Sequence, residues 1–321
     1  MLVPVLLFIV GLVLLIKGGG WFVDGATGIA HRFHIPELII GATIVSAGTT
    51  LPEVMVSAAS ALGGHGEIAY GNAIGSIICN TALIAAITVA LRPPKVDGAS
   101  LKIPVLFFFG AAALYAGVAY FAGEFTRLVG VALLAIFACY MAYNVLRVRK
   151  LPPVEAEKTP MEEYTSPVRD VVKLIVGAAA VAFGADLLVD NGTLIAQMLG
   201  VPESVIALTF VALGTSLPEL VTAVTSLAKG HGALSLGNII GANLFNLVLV
   251  SGLSVVLAPF AVPSGKLVAG VNASLAIDIP LMFFVMAFLT LPALLKGKLM
   301  RWQGITLLGI YAAYVGFQFF G

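Results

Sequence analysis

Hydrophobic residues come in long runs along the chain, separated by short polar joints, and about ten of those runs reach roughly 18 residues or more. The runs predict membrane-spanning helices over 2–23, 36–62, 68–91, 103–122, 127–147, 169–190, 202–228, 234–259, 268–294 and 301–320. A helix of that length crosses about 30 Å of hydrocarbon. Open sheets are excluded, because lipid offers their edge amides no partner. The first run lacks a charged leader and a small-residue cleavage site, so it is expected to stay as a spanning helix.

Inside these runs the polar residues are placed twice in one register. Residues 41–84 (GATIVSAGTTLPEVMVSAASALGGHGEIAYGNAIGSIICNTALI) return at 207–250 (ALTFVALGTSLPELVTAVTSLAKGHGALSLGNIIGANLFNLVLV), with about 17 of 44 positions identical and no gap. The register extends upstream, pairing Asp24 with Asp190 and Pro36-Glu37 with Pro202-Glu203. A polar motif duplicated within hydrophobic segments points to the central site of a secondary transporter. Two five-helix halves are expected, 1–147 and 169–321, joined by a linker at 148–168. Because each half has an odd number of spans, equivalent residues enter the membrane in opposite directions, so the repeats are predicted to be inverted.

Composition agrees with an all-α integral membrane protein: 60% of residues are hydrophobic, 10% are charged, and the mean hydropathy is +1.07. The 17 Lys and Arg fall almost entirely on one side. Loops after odd-numbered spans hold Arg32, Arg92, Lys95, Lys102, Arg147, Arg149, Lys150, Lys158, Arg169, Lys229, Lys296, Lys298 and Arg301, while the opposite loops hold only Arg127 and Lys266. The basic side is therefore expected to be cytoplasmic in the cell membrane, with both termini outside and the linker inside.

The candidate chemistry lies in the repeated element. Ser46, Thr49, Glu53, Ser57 and Ser60 recur every three or four residues and share one helix face, as do Thr215, Glu219, Thr222 and Ser226. Pro52 and Pro218 each remove a backbone donor, so carbonyls near Ser46–Gly48 and Ala212–Gly214 are expected to be released as hard-cation ligands. Asn72, Ser76 and Asn80, with Asn238, Ala242 and Asn246, complete the lining. Gly71/Gly75 and Gly237/Gly241 form GxxxG spacings suited to close helix approach. Carboxylates, hydroxyls, amide oxygens and carbonyls without thiolate or imidazole suit Ca²⁺ or Na⁺ rather than zinc or copper.

With GTTLPE at 48–53, GTSLPE at 214–219, GNAIGS at 71–76 and GNIIGA at 237–242, the chain resembles the calcium:cation antiporter superfamily over essentially its whole length, most closely the prokaryotic sodium/calcium exchangers. The resemblance implies ten helices, with helices 2 and 7 broken at the core, and alternating access. Residue by residue it implies that Glu53 and Glu219 are the cation-binding carboxylates. It makes Thr49, Thr50, Thr215 and Ser216 hydroxyl or carbonyl ligands, Ser76 and Asn80 ligands on the third helix, and Ser46 and Ala212 carbonyl donors. Asn246 stands where close relatives carry Asp, and Ala242 where they carry Ser. The core then has a formal charge of −2, which one Ca²⁺ or two monovalent ions would neutralise. An empty core of that charge is expected to stay hydrated or draw protons.

The resulting expectation is Ca²⁺ extrusion against Na⁺ by antiport. The alternatives are a proton- or K⁺-coupled exchanger of the same superfamily and, more remotely, a cation channel, whose filter is usually a ring built by several subunits. No enzymatic constellation, P-loop or permanently bound cofactor is expected, and nucleic acid is not an expected partner. The transported ions are Ca²⁺ and Na⁺ or protons, and one chain is expected to suffice as the transport unit. Ser57, Ser60, Asn243 and Thr222 are read as interhelical hydrogen-bonding groups. Asp24 and Asp190 are read as marking helix ends, Asp186 and Asp278 as helix-end or packing residues, and His65 and His231 as turn or interfacial residues. Cys79 and Cys139 are read as small buried hydrophobes.

Overall fold

The structure is a computed structural model that describes residues 2–148, 166–199, 214–265, 267–268 and 270–320. Its helices are α1 (Leu2–Arg32), α2 (Glu37–Thr49 and Leu51–Leu62), α3 (Gly66–Leu91), α4 (Gly98–Phe121), α5 (Arg127–Val148), α6 (Pro167–Met198), α7 (Leu217–Ala228), α8 (Gly232–Leu257), α9 (Ser274–Lys296) and α10 (Arg301–Phe320). Among the described residues seven are long and apolar enough to cross a membrane, or eight if the bent pair in α2 counts as one span. Most of the linker, the first part of the predicted seventh span and Ala212 lie outside the described residues.

Apolar periodicity located the helices well and their ends less well. The predicted span at 268–294 begins at Ser274 instead, because Gly270 (φ 81°) turns the chain between β3 (Leu267–Val268) and β4 (Val271–Asn272). The Asn272 side chain then accepts the Ser274 amide N–H at 2.8 Å. Asp24 and Asp190 are not at helix ends. Both lie inside helices, and Asp24 pairs with Lys229 at 2.5 Å. Cys79 is buried, but Cys139 is exposed on α5.

Loop contacts sort the joints into two ends. Between α4 and α5, β1 (Glu124–Phe125) pairs antiparallel with β2 (Phe260–Ala261) from the α8–α9 loop. At the other end Lys95 bridges to Lys298, and Val96 N–H donates to the Gly297 carbonyl at 2.9 Å. This second end, which carries most of the cations, is called the basic end below.

Glycines set the closest helix approaches. A Cβ at Gly11, Gly18, Gly25, Gly177 or Gly184 would press on backbone across the α1–α6 contact, so these two helices pack main chain to main chain. The same is true where α8 meets the first half of α2: Gly237 abuts the Leu38 backbone, and Gly241 abuts Ala42 and the Ser46 hydroxyl. Gly71 and Gly75 meet nothing within 4 Å among the described residues and instead line a cavity.

At the basic end Asp97 caps α4, accepting the amide N–H groups of Ala99 (3.1 Å) and Ser100 (3.0 Å) and the Ser100 hydroxyl (2.5 Å). Burial alone would raise its carboxyl, but the Ser100 and Ala99 hydrogen bonds and the Arg147 charge hold it below the usual range. A depressed folded value stabilises the protein above the unfolded value and is lost as pH falls through the folded one. Asp97→Ala is therefore expected to cost about 1 kcal/mol at neutral pH. Thermal unfolding in detergent should show the gap at pH 7 and its closure in acid.

Candidate functional site

The break in α2 is local chemistry. Pro52 lacks an N–H, so the helix stops at Thr49 and restarts at Leu51 with proline in its first turn, bending the axis by 46°. Thr50 carries the break at φ −84°, ψ −1°, and Ser216 repeats it at φ −90°, ψ 3° ahead of Leu217-Pro218. Each break leaves a helix N-terminus with a glutamate in its first turn, Glu53 in one case and Glu219 in the other. The aligned peptide dipoles there stabilise the carboxylates.

One expectation is corrected here. Pro52 does not free the Ser46 carbonyl, which accepts the Thr50 N–H at 2.9 Å. The donor that proline removes is the one that would have paired with Gly48. The Ser46 hydroxyl is also engaged, at 2.7 Å from the Gly41 carbonyl and 2.9 Å from that of Asn238.

Glu53 and Glu219 are fully buried, and their charges are close enough to repel. Among the described residues no cation is paired with either, and neither carboxylate receives a hydrogen bond of good geometry, the Thr49 and Thr50 hydroxyls lying nearest Glu219. Asn80 and Asn246, also fully buried, have both side-chain polar atoms unpartnered. Each asparagine opens a π-helical turn, Asn80–Ala85 in α3 and Asn246–Val250 in α8. Such turns disrupt the regular i→i−4 ladder and frequently mark functional sites. The Asn80 turn packs on α7, which carries Glu219, and the Asn246 turn packs on the second half of α2, which carries Glu53.

The six unpartnered side-chain oxygens are thus two carboxylates and two amides in matched pairs. The buried Thr50 hydroxyl adds another, and with Thr49 it lies beside Glu219. Ser76 and Ser216 are buried, and Thr215 is half-buried. A buried carboxylate without a partner costs on the order of several kcal/mol, so two such groups in one core call for compensating positive charge.

Sequence reading placed Asn72 and Asn238 in the lining without naming their partners, which the structure supplies. The Thr49 hydroxyl donates to the Asn238 amide oxygen at 3.2 Å and the Thr215 hydroxyl to that of Asn72 at 3.3 Å, one contact made twice with the repeats exchanged. The Asn72 amide also donates to Ser57 (2.8 Å) and to the Glu53 carbonyl (3.3 Å). The GN dipeptide common to both copies was the available signal. Asn243 behaves as expected, donating to Thr81 at 2.7 Å. Thr222 does not, since its buried hydroxyl has no partner. We expect Asn72→Ala and Asn238→Ala each to weaken ⁴⁵Ca²⁺ binding by about tenfold, the scale of one lost hydrogen bond. Asn243→Ala should leave binding unchanged.

A model of the family described as sodium/calcium exchanger protein matches residues 3–146 and 170–320. The chain belongs to the sodium/calcium exchanger family. An uncharacterized membrane protein of Methanocaldococcus jannaschii is 35% identical over 311 residues, covering 95% of this chain and 94% of the relative. The sodium/calcium exchanger MaX1 of Methanosarcina acetivorans is 29% identical and covers 98% of each chain. Among solved structures, the sodium-calcium exchanger NCX_Mj soaked with Na⁺ and Sr²⁺ aligns with a TM-score of 0.81 at 32% identity over 98% of each chain.

A cavity of about 440 Å³ at the end away from the basic loops is lined by Glu67, Tyr70, Gly71, Gly75, Ser274 and Asp278 among others. On α3 its lining runs from Glu67 to Gly75, about 12 Å at 1.5 Å per residue. A second cavity of about 460 Å³ at the basic end reaches only Gly232 and Ala233 on α8. Polar contacts cross that end: a hydrogen bond between Glu37 and the His231 ring at 2.7 Å, and ion pairs of Lys229 with Asp24 at 2.5 Å and of Arg32 with Asp170 at 3.2 Å. Asp278 accepts from Tyr314 (3.0 Å) and Gln318 (3.1 Å), the packing role expected of it.

Proposed function

We propose that the chain exchanges Ca²⁺ for Na⁺ across the membrane, both ions using one site between Glu53 and Glu219. The observation that carries this is the set of six fully buried, unpartnered oxygens from Glu53, Glu219, Asn80 and Asn246. Six oxygens without nitrogen or sulfur ligands is the lower limit of Ca²⁺ coordination and suits a hard cation. Thr49, Thr50, Ser76, Thr215 and Ser216 add hydroxyls or carbonyls around them. Family membership and the likeness to NCX_Mj support Na⁺ as the counter-ion.

Ten spans in two inverted halves, 1–147 and 169–321, would place these oxygens at the membrane's mid-depth. The reciprocal Thr49–Asn238 and Thr215–Asn72 contacts support that symmetry. With the basic end cytoplasmic and both termini outside, the cavity along α3 would face the outside. The α1–α6 pair, held together by its glycines, is the element that slides.

The test is ⁴⁵Ca²⁺ uptake into proteoliposomes loaded with Na⁺, with K⁺ or with a pH gradient alone. Uptake that requires internal Na⁺ and saturates with Ca²⁺ is expected. Uptake driven by the pH gradient alone would overturn the reading, as would linear, channel-like flux.

A further inference from the structure

Three buried hydroxyls depart from the habit of the others in this protein. Thr43, Thr81, Thr88, Ser254 and Thr290 each donate to the carbonyl three or four residues earlier in their own helix, at 2.6–2.8 Å. A helical serine or threonine has that acceptor within reach, so burial by itself leaves no hydroxyl unsatisfied. Thr222 and Ser226 on α7 and Ser235 on α8 are at least as deeply buried, yet their hydroxyls have no partner among the described residues. An unmade hydrogen bond in the interior destabilises the fold, so three of them together point to a task other than folding.

The three stand in line. Glu219, Thr222 and Ser226 fall at i, i+3 and i+7 and share one face of α7, which runs about 10 Å from the glutamate toward the basic end. A neighbouring face, with Val221 and Thr225, is turned to Gly19 of α1. Ser235 joins the line from α8. The Ser226 carbonyl accepts the His231 N–H at 2.8 Å, and the Ser235 N–H donates to the His231 carbonyl at 3.1 Å, so both serines sit at the level of one turn. Beside that turn lies the basic-end cavity, lined by Leu227, Gly232, Ala233 and Glu37 among others. The first repeat has Val56, Ser60 and Ala69 at the equivalent places, so two of the three hydroxyls are peculiar to the second copy.

We infer that Thr222, Ser226 and Ser235 line the route by which cations pass between the glutamate core and the basic-end cavity. The inference rests on the proposed exchange at the paired glutamates. A cation crossing about 10 Å of protein interior needs oxygens in place of its water, and hydroxyls serve Na⁺ and Ca²⁺ alike. Being neutral, they hold neither ion tightly, as a passage requires. All three are covered in this structure, so the route carries ions in a form that parts α7 and α8 from that cover.

The experiment compares the rate of Na⁺-driven ⁴⁵Ca²⁺ uptake with equilibrium ⁴⁵Ca²⁺ binding in the Thr222→Val/Ser226→Ala/Ser235→Ala protein. Uptake is expected to fall by about tenfold or more while binding changes by less than about 2-fold, because the carboxylates and amides of the core are untouched. The unfolding temperature should hold or rise, since three unsatisfied groups are gone. Thr290→Val, which removes a hydroxyl bonded to its own helix, should leave uptake unchanged. Uptake at the parent rate in the triple variant would overturn the route, and so would an equal loss of binding, which would assign the hydroxyls to the core. Absence of any Na⁺-driven uptake by the unmodified protein would instead overturn the exchange reading beneath it. Should the triple variant not fold, Ser226→Cys and Ser235→Cys decide. With the exposed Cys139 replaced by serine, a positively charged methanethiosulfonate added during turnover on the side of the basic end should slow exchange in both. Indifference to the reagent would overturn the route.

Discussion

Glu53→Gln and Glu219→Gln are each expected to abolish Na⁺-driven Ca²⁺ uptake, lowering it by at least about 100-fold, without loss of the folded protein. Glutamine keeps the volume and one side-chain oxygen, so packing against α3 and α8 should survive. What disappears is one negative charge next to a divalent ion in a fully buried core. A unit charge about 4 Å away is worth about 4 kcal/mol at the effective dielectric of a protein, and a divalent ion feels it twice. Even after most of that is offset by the carboxylate's own desolvation, the surplus exceeds the roughly 2.8 kcal/mol that a 100-fold loss represents. The two variants should be nearly equal in effect, because each glutamate holds the same place in its repeat. Thermal stability of the ion-free variants should match or exceed that of the parent, since a buried uncompensated charge has been removed. A variant that retained full uptake would remove that glutamate from the site.

The second large effect is mechanical. Gly241→Val and Gly237→Val should disable transport and lower the unfolding temperature in detergent by about 5 °C or more. At Gly241 a Cβ would press on the Ala42 backbone and the Ser46 hydroxyl, and at Gly237 on the Leu38 backbone. Backbone cannot rotate away as a flexible side chain can, so α8 must move off α2. That movement also pulls Asn238 from Thr49 and breaks the contact that holds the bend of α2. Gly309→Ala and Gly316→Ala on α10 are the controls. Both positions face open space, so these variants should unfold within a degree or two of the parent. If Gly241→Val transports normally, the α2–α8 contact is not what shapes the site.

Some of this was legible in the sequence because of contrast. A single glutamate in an otherwise apolar span is conspicuous, and its recurrence 166 residues later, with Pro one residue before it and Thr four before it, identifies the pair without any structure. The break in α2 was legible from Pro52. The glycines of α8 were legible as a close-packing face, though not their partner.

What escaped the sequence depends on contacts between distant segments or on main-chain geometry without a local signal. The π-helical turns at Asn80 and Asn246 have no signature, since neighbouring residues such as Ala82 and Leu247 suit an ordinary helix equally well. Side chains satisfy carbonyls of such turns: Tyr140 on α5 donates to the Ala42 carbonyl in the π-helical turn Gly41–Val45 of α2 at 2.8 Å, and Ser251, five residues on in α8, to that of Asn246 at 3.1 Å. Asp24 was misread as a helix end because its partner, Lys229, is 205 positions away. The ninth span was started too early because Leu267 and Val268 are as hydrophobic as a helix and belong to a hairpin.

The central claim is that one cation site lies between the two glutamates, and locating the ion tests it most directly. Anomalous diffraction from crystals soaked in Sr²⁺ with little Na⁺ should show one strong peak within about 2.3–2.8 Å of carboxylate oxygens from both Glu53 and Glu219. Asn80 and Asn246 should point their amide oxygens toward it, and raising Na⁺ should remove it. A peak held by other residues, or one that persists when both glutamates are replaced by glutamine, would contradict the account.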